Sequence, residues 1–215
     1  MKIRRFAIAA AGALLAWSWA PAPALAQADA GRYDAAPLGT VTTYHRKSSG
    51  SYGNFDGTVT WTTGREEWSG RMLTSSRSPT HGAQLLDPHS GGLVAQLLPS
   101  GKPGYSFDPP VTHQWPLAAG KSWRSVHGMT TFAPPGALSV TFEVKVESHE
   151  DVTVPAGIFK AFKVVSASSF GEVERTWNVP ALGGLVVKRI ADRPASHPLG
   201  AGHAEGVLLT RTLPR

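Results

Sequence analysis

Residues 150–164 read Glu150-Asp-Val-Thr-Val-Pro-Ala-Gly-Ile-Phe-Lys-Ala-Phe-Lys-Val164, or EDVTVPAGIFKAFKV. Val152 and Val154 alternate with polar neighbours, as a half-buried strand requires. Val154-Pro155-Ala156-Gly157 then fits a type I turn, with proline pre-setting the second position and glycine suiting the fourth. From Ile158 the chain is extended again and carries Phe159, Phe162, Val164 and Val165. Upstream, Phe142, Val144 and Val146 share one face, with Glu143, Lys145 and Glu147 on the other. Ser148-His149-Glu150-Asp151 is polar enough to turn between the two segments. The stretch predicts strand, turn and strand, so it is scaffold rather than chemistry.

The same grammar extends along the chain. After the first 26 residues no window shows the i, i+3, i+4, i+7 apolar spacing of an amphipathic helix. The 23 glycines and 17 prolines punctuate short runs of β-branched and aromatic residues. Strands are predicted near 38–47, 56–62, 65–74, 82–87, 92–98, 122–132, 138–147, 150–154, 158–168, 171–179, 184–191 and 205–212. The fold class expected is all-β: a single curved antiparallel sheet forming an open or partly closed barrel, with few or no helices.

The start of the chain is of another kind. Lys2, Arg4 and Arg5 precede an apolar run from Phe6 to Trp19, and Ala24-Leu25-Ala26 forms a small-x-small cleavage site before Gln27. The run is shorter than the roughly 20 residues that span a bilayer. Residues 1–26 therefore read as a signal peptide and 27–215 as one all-β domain. The second site Ala26-Gln27-Ala28 leaves the cleavage point open by two residues. The expected location is the periplasm or the medium, after Gram-negative-type export.

The chain has no cysteine, which removes disulfides, thiol chemistry and lipid attachment at the cleavage site. The leader holds three of the 21 basic residues and none of the 15 acidic ones, so half of the formal charge of +6 belongs to it. The remaining basic residues are scattered, which excludes a nucleic-acid footprint. No later segment is apolar enough to span a membrane as a helix. An outer-membrane barrel is set aside because the chain ends Thr212-Leu213-Pro214-Arg215 instead of in an aromatic residue.

The pattern V-x-V-P-A-G-x-F-x-A-F-K-V is followed by Glu174-Arg-Thr-Trp-Asn-Val-Pro-Ala-Leu-Gly-Gly-Leu-Val-Val-Lys188 and preceded by a Trp-Pro-Leu-Ala-Ala-Gly-Lys-Ser-Trp run at 115–123. Across Leu117 to Lys188 the chain resembles exported bacterial proteins known mainly as domains of unknown function. These are similar to the open, lipid-holding β-barrels of the Lol-type lipoprotein carriers. The resemblance implies a curved sheet with an apolar cavity and brings no catalytic residues. The clear helices of those carriers are missing.

Motifs for chemistry are missing too. There is no G-x-S-x-G elbow, no H-E-x-x-H and no glycine-rich phosphate loop. The eight histidines form no close ligand pair on one strand face. Glu66 and Glu67 point to opposite faces, and Glu172 and Glu174 read as a solvated face. No catalytic residue, metal or cofactor is expected.

Candidate binding residues come from two strands. A turn at Thr63-Gly64 would pair Val59 with Trp68 and Trp61 with Glu66, setting Trp61 and Trp68 on one face. Val173, Arg175 and Trp177 alternate onto one face, and an arginine there must pair, snorkel or line a wet cavity. Leu98 to Gly120, rich in proline and glycine, reads as an ordered loop. The leading expectation is a non-catalytic domain that binds an apolar or amphipathic small molecule, such as a lipid, between Trp61, Trp68 and Trp177, with Arg175 at the mouth. Two other classes stay open: an envelope interaction or assembly module with a protein partner, and a hydrolase acting on envelope polymers.

Overall fold

A computed structural model describes residues 32–215; the leader assigned to residues 1–26 lies outside them. In chain order the strands are β1 (Val41–Gly50), β2 (Phe55–Trp68), β3 (Arg71–Ser78), β4 (Gly82–Leu86), β5 (Leu93–Leu97), β6 (Pro103–Val111), β7 (Ser122–Phe132), β8 (Pro135–Val154), β9 (Gly157–Ser168), β10 (Val173–Val179), β11 (Leu185–Arg193) and β12 (Gly202–Thr212). Each pairs antiparallel with its neighbours in sequence, and β1 pairs with both β2 and β12. The single sheet therefore closes into a barrel with no free edge. Among the described residues the only helical element is a 3-10 turn at Pro180–Leu182. The all-β fold expected from the pattern is the fold observed.

The stretch that opened the sequence reading forms the tip of the β8–β9 hairpin. Val154 pairs with Gly157 across Pro155 and Ala156, and Val152 pairs with Phe159. The turn expected at Ser148–Asp151 is absent, because 138–147 and 150–154 belong to one strand, β8. A bulge at Glu147 stands there instead: Val146 pairs with Val164, but Ser148 pairs with Lys163. One extra residue reverses the facing of everything beyond it. Val146 and Val152, both even-numbered, thus end on opposite faces of the sheet.

That reversal decides what the hairpin packs against. Before the bulge, Val144 and Val146 join Trp123, Phe162, Val164 and Leu117 in one buried cluster. Beyond it, Val152, Val154 and Ala161 pack with Trp177, Val179 and Val187, and the Ala156 N–H donates to the Leu208 carbonyl at 3.2 Å. The hairpin overhangs β10 and folds back against β10–β12.

Two other expectations are corrected. Thr63-Gly64 is not a turn: β2 runs through it and turns at Ser69-Gly70, whose φ values of 49° and 75° are both positive, with Trp68 opposite Arg71. Thr62 pairs with Val41 of β1 and also with Arg77 of β3, so β2 passes from one neighbour to the other at this point. Gly64 is small for a packing reason, since a Cβ there would lie 3.0 Å from the Ser75 hydroxyl. Within the expected loop 98–120, residues 103–111 form β6. Its prolines fit because the ladder to β5 is interrupted between the pairs Leu93–Val111 and Ala95–Ser106, where Pro109 and Pro110 owe no N–H.

The outward faces carry ion pairs: Lys47–Asp56, Arg124–Glu143 and Arg175–Asp192. A membrane-spanning barrel bears an apolar band there.

Gly82 tests the tightness of the β3–β4–β5 corner. Its φ is +79°, and an added Cβ would overlap the Leu97 carbonyl oxygen at 1.9 Å. Gly82→Ala should cost about 2–3 kcal/mol through strain and displaced backbone. Chemical denaturation should show it as a lower midpoint with an unchanged slope.

Candidate functional site

Alternation along β10 sorts its side chains into two sets. Glu174, Thr176 and Asn178 take one face, and Val173, Arg175 and Trp177 take the other. Register carries the first face across the sheet: Thr176 opposes Arg189, Arg189 opposes Gly206, and Gly206 opposes Arg46. Arg46 in turn opposes Gly57 on β2, so Val59 and Trp61 lie on the same face.

This face is the inside of the barrel. Burial, and then Arg189, Glu174, Glu172 and Arg193, set the titration of the Tyr105 hydroxyl, with burial raising it. Tyr105 lies on β6, four places from β10 in the strand order, so these groups meet only through the interior. The solvated face expected for Glu172 and Glu174 is the wall of the lumen.

Charge inside the lumen is largely matched. Arg189 donates to Glu174 at 2.5 Å, and Arg193 Nε lies 2.5 Å from Glu172. The Glu174 charge is the main reason the Arg189 guanidinium is held above its ordinary range. At Glu174 burial works to raise the carboxyl, but the Arg189 charge and hydrogen bond outweigh it and hold it low. The Arg193 guanidinium stacks 3.9 Å over the Tyr52 ring. Burial and then the Glu172 carboxylate push the Tyr52 hydroxyl above its usual range.

Aromatic rings line the rest. His81 lies 5.1 Å from Phe55 and 6.3 Å from Trp61. Phe107 packs edge-on against Tyr105, His127 and Phe142. At the end covered by residues 112–121, His113 packs against Trp115 and Trp123.

The lumen is accessible to water. Glu174 and Arg189 point inward, yet their side chains keep 32% and 42% of their surface accessible. Groups so enclosed and so exposed must line an internal space that water enters. A groove of about 420 Å³ lies elsewhere, at the Glu147 bulge, lined mainly by outward residues such as Arg124, Glu143 and Lys145. It lacks the converging charges and rings of the lumen.

The four residues singled out in the sequence are not brought together. Trp61 lines the lumen beside His81. Trp68 packs against the cluster of Leu73, Leu85 and Ala95, and lies 6.0 Å from Phe132. Arg175 faces outward and pairs with Asp192 at 2.9 Å. Trp177 is also outside, covered by the overhanging hairpin. Its Nε1–H donates to Glu150 at 2.8 Å, and Lys188 lies 4.8 Å over its ring. Sequence reasoning passed over Arg46, Tyr52, Tyr105, His113, Arg189 and Arg193. The available signal was Glu172 and Glu174, two apart and so on one face, followed on the next strand by Arg189 and Arg193, four apart and so also on one face. Among the described residues no group of three metal-ligating side chains converges.

Fold and site together define a closed antiparallel barrel with a polar, water-accessible lumen. No protein-family model matches the chain, and no curated protein does. Solved structures similar to it include a candidate exported protein with a YmcC-like fold from Bacteroides fragilis, 11% identical, covering 85% of this chain and 99% of its own, at a TM-score of 0.47. The hypothetical lipoprotein YmcC from Escherichia coli is 13% identical over 88% of this chain and 92% of its own, at 0.43. A candidate lipoprotein from Parabacteroides distasonis is 12% identical over 85% and 99%, at 0.41. Likeness at this level assigns no function.

Arg175→Ala should change stability by less than about 1 kcal/mol, since its pair faces solvent. Glu174→Gln strands Arg189 in the lumen and should cost about 1–3 kcal/mol by denaturant titration. Burial also pushes the His113 imidazole below its ordinary range, against Glu174 and Asn178, and it lowers His81 together with Arg46. Such groups stabilise fully above the unfolded value of about 6.5, and that stability is lost as pH falls through the lower folded value. The melting temperature should therefore decline as pH drops below about 6.5, and more shallowly in His113→Gln. Equal slopes for the two proteins would refute the assignment.

Proposed function

We propose that the chain is an exported, non-catalytic envelope barrel that holds a small amphipathic molecule in its lumen. The observation that carries this reading is the exposure of Glu174 and Arg189 inside an enclosed wall. Side chains fill a barrel of about eight strands, and wider ones hold ligands or water. The twelve strands here make a wider wall than that. Rings of Phe55, Trp61, Phe107 and Trp123 offer apolar contact, and the arginines and Tyr52 offer polar contact. Ligand sites commonly combine these two features. The leader expected at residues 1–26 accords with the export part of this reading. Arg175 and Trp177 have no part in it, because both lie on the outer face.

Native mass spectrometry of the protein purified from its own host's envelope tests the proposal. A bound adduct of small-molecule mass is expected, released on denaturation. A bare protein mass, under conditions gentle enough to keep a control lipid complex intact, would count decisively against a carrier.

A further inference from the structure

We infer that Arg46, Gly206 and Arg189 form an anion subsite in the lumen, which receives the negatively charged head of the bound molecule. The inference rests on the lumen being the ligand site and adds the charge of what enters it.

The three residues lie in one row across β1, β12 and β11. Two strand spacings put the arginine backbones about 10 Å apart, a gap that two long side chains can close around one anion. The middle position is glycine, and its backbone does not require one: Gly206 has no positive φ, and an added Cβ would meet only the His45 carbonyl at 3.8 Å. The absent side chain therefore leaves space between the two guanidinium groups.

The charge count points to the same occupant. Of the three arginines in this band, Arg189 is paired with Glu174 and Arg193 with Glu172. Among the described residues Arg46 forms no salt bridge, and burial, then the like charge of Arg189, hold its guanidinium below its ordinary range. Enclosure and repulsion both disfavour that charge, and an anion relieves both. Arginine suits the task because its planar fork meets carboxylate and phosphate oxygens in pairs.

Calorimetric titration below the micelle concentration, with dodecyl phosphate, dodecanoate, dodecanol and inorganic phosphate, tests the subsite. The anionic amphiphiles should bind about tenfold or more tightly than dodecanol, and more weakly as salt rises. Arg46→Met and Gly206→Leu should remove that preference, and Arg175→Met should leave it intact. Arg46→Met should melt no lower than the wild type, since it deletes an unmatched charge. Binding of inorganic phosphate alone, lost in Arg46→Met, would support the subsite with a free anion as its occupant. Binding restricted to the amphiphiles would support a head group. Equal affinity for dodecanol and dodecyl phosphate, unchanged in Arg46→Met, overturns the anion subsite and leaves the lumen reading standing. Binding of no probe, together with a bare native mass, overturns both.

Discussion

Pairing of β1 with β12 is the constraint on which the interior depends. Twelve strands at a fixed spacing set a circumference, and closing that circumference sets an internal width. Side chains pointing inward from a wall this wide cannot all reach one another. Apolar residues would line an unfilled void, at a cost for each lost contact. Water, charged pairs and rings meet the same geometry at lower cost. The Glu174–Arg189 and Glu172–Arg193 pairs are the chemistry that a broad closed sheet requires of its inner surface.

The apolar burial that stabilises the chain is placed elsewhere. One cluster gathers around Leu117 and Phe162 where residues 112–121 enter the barrel end, and another around Leu73, Leu85 and Ala95. A third lies beneath the overhang of β8–β9 and takes in Trp177. The Glu147 bulge allows this division. It lets one strand supply the inner wall over its first part and cover the outer wall with the rest.

Strand content was legible because alternation and turn residues are local properties. The VPAG turn, β7 and β9 to β12 follow from Pro155, Gly157 and period-two runs along the chain, whereas β8 reads as two strands because its bulge breaks the alternation. What local pattern does not carry is which face is inside. Beside Val173 and Trp177, Glu174 and Asn178 look like a solvated face, and in a protein with a filled core they would be one. Here the solvated face is internal, and Trp177 is buried on the outside by a hairpin whose fold-back depends on one bulged residue. The Gly64 misreading has the same origin. Glycine serves both turns and close strand approach, and only the pairing partner, Ser75, tells them apart.

Closure has a temporal side as well. β1 is the first strand made and β12 the last, so the row of N–H and C=O groups along β1 has its second partner only when the end of the chain arrives. Contacts of such separation form late, and an unpaired edge invites pairing with other chains in the meantime. The β8–β9 hairpin is local and requires no such wait. Its tip donates from Ala156 to Leu208, in the middle of β12. The seam of the barrel is thus braced by a local hairpin as well as by the two strands that β12 pairs with.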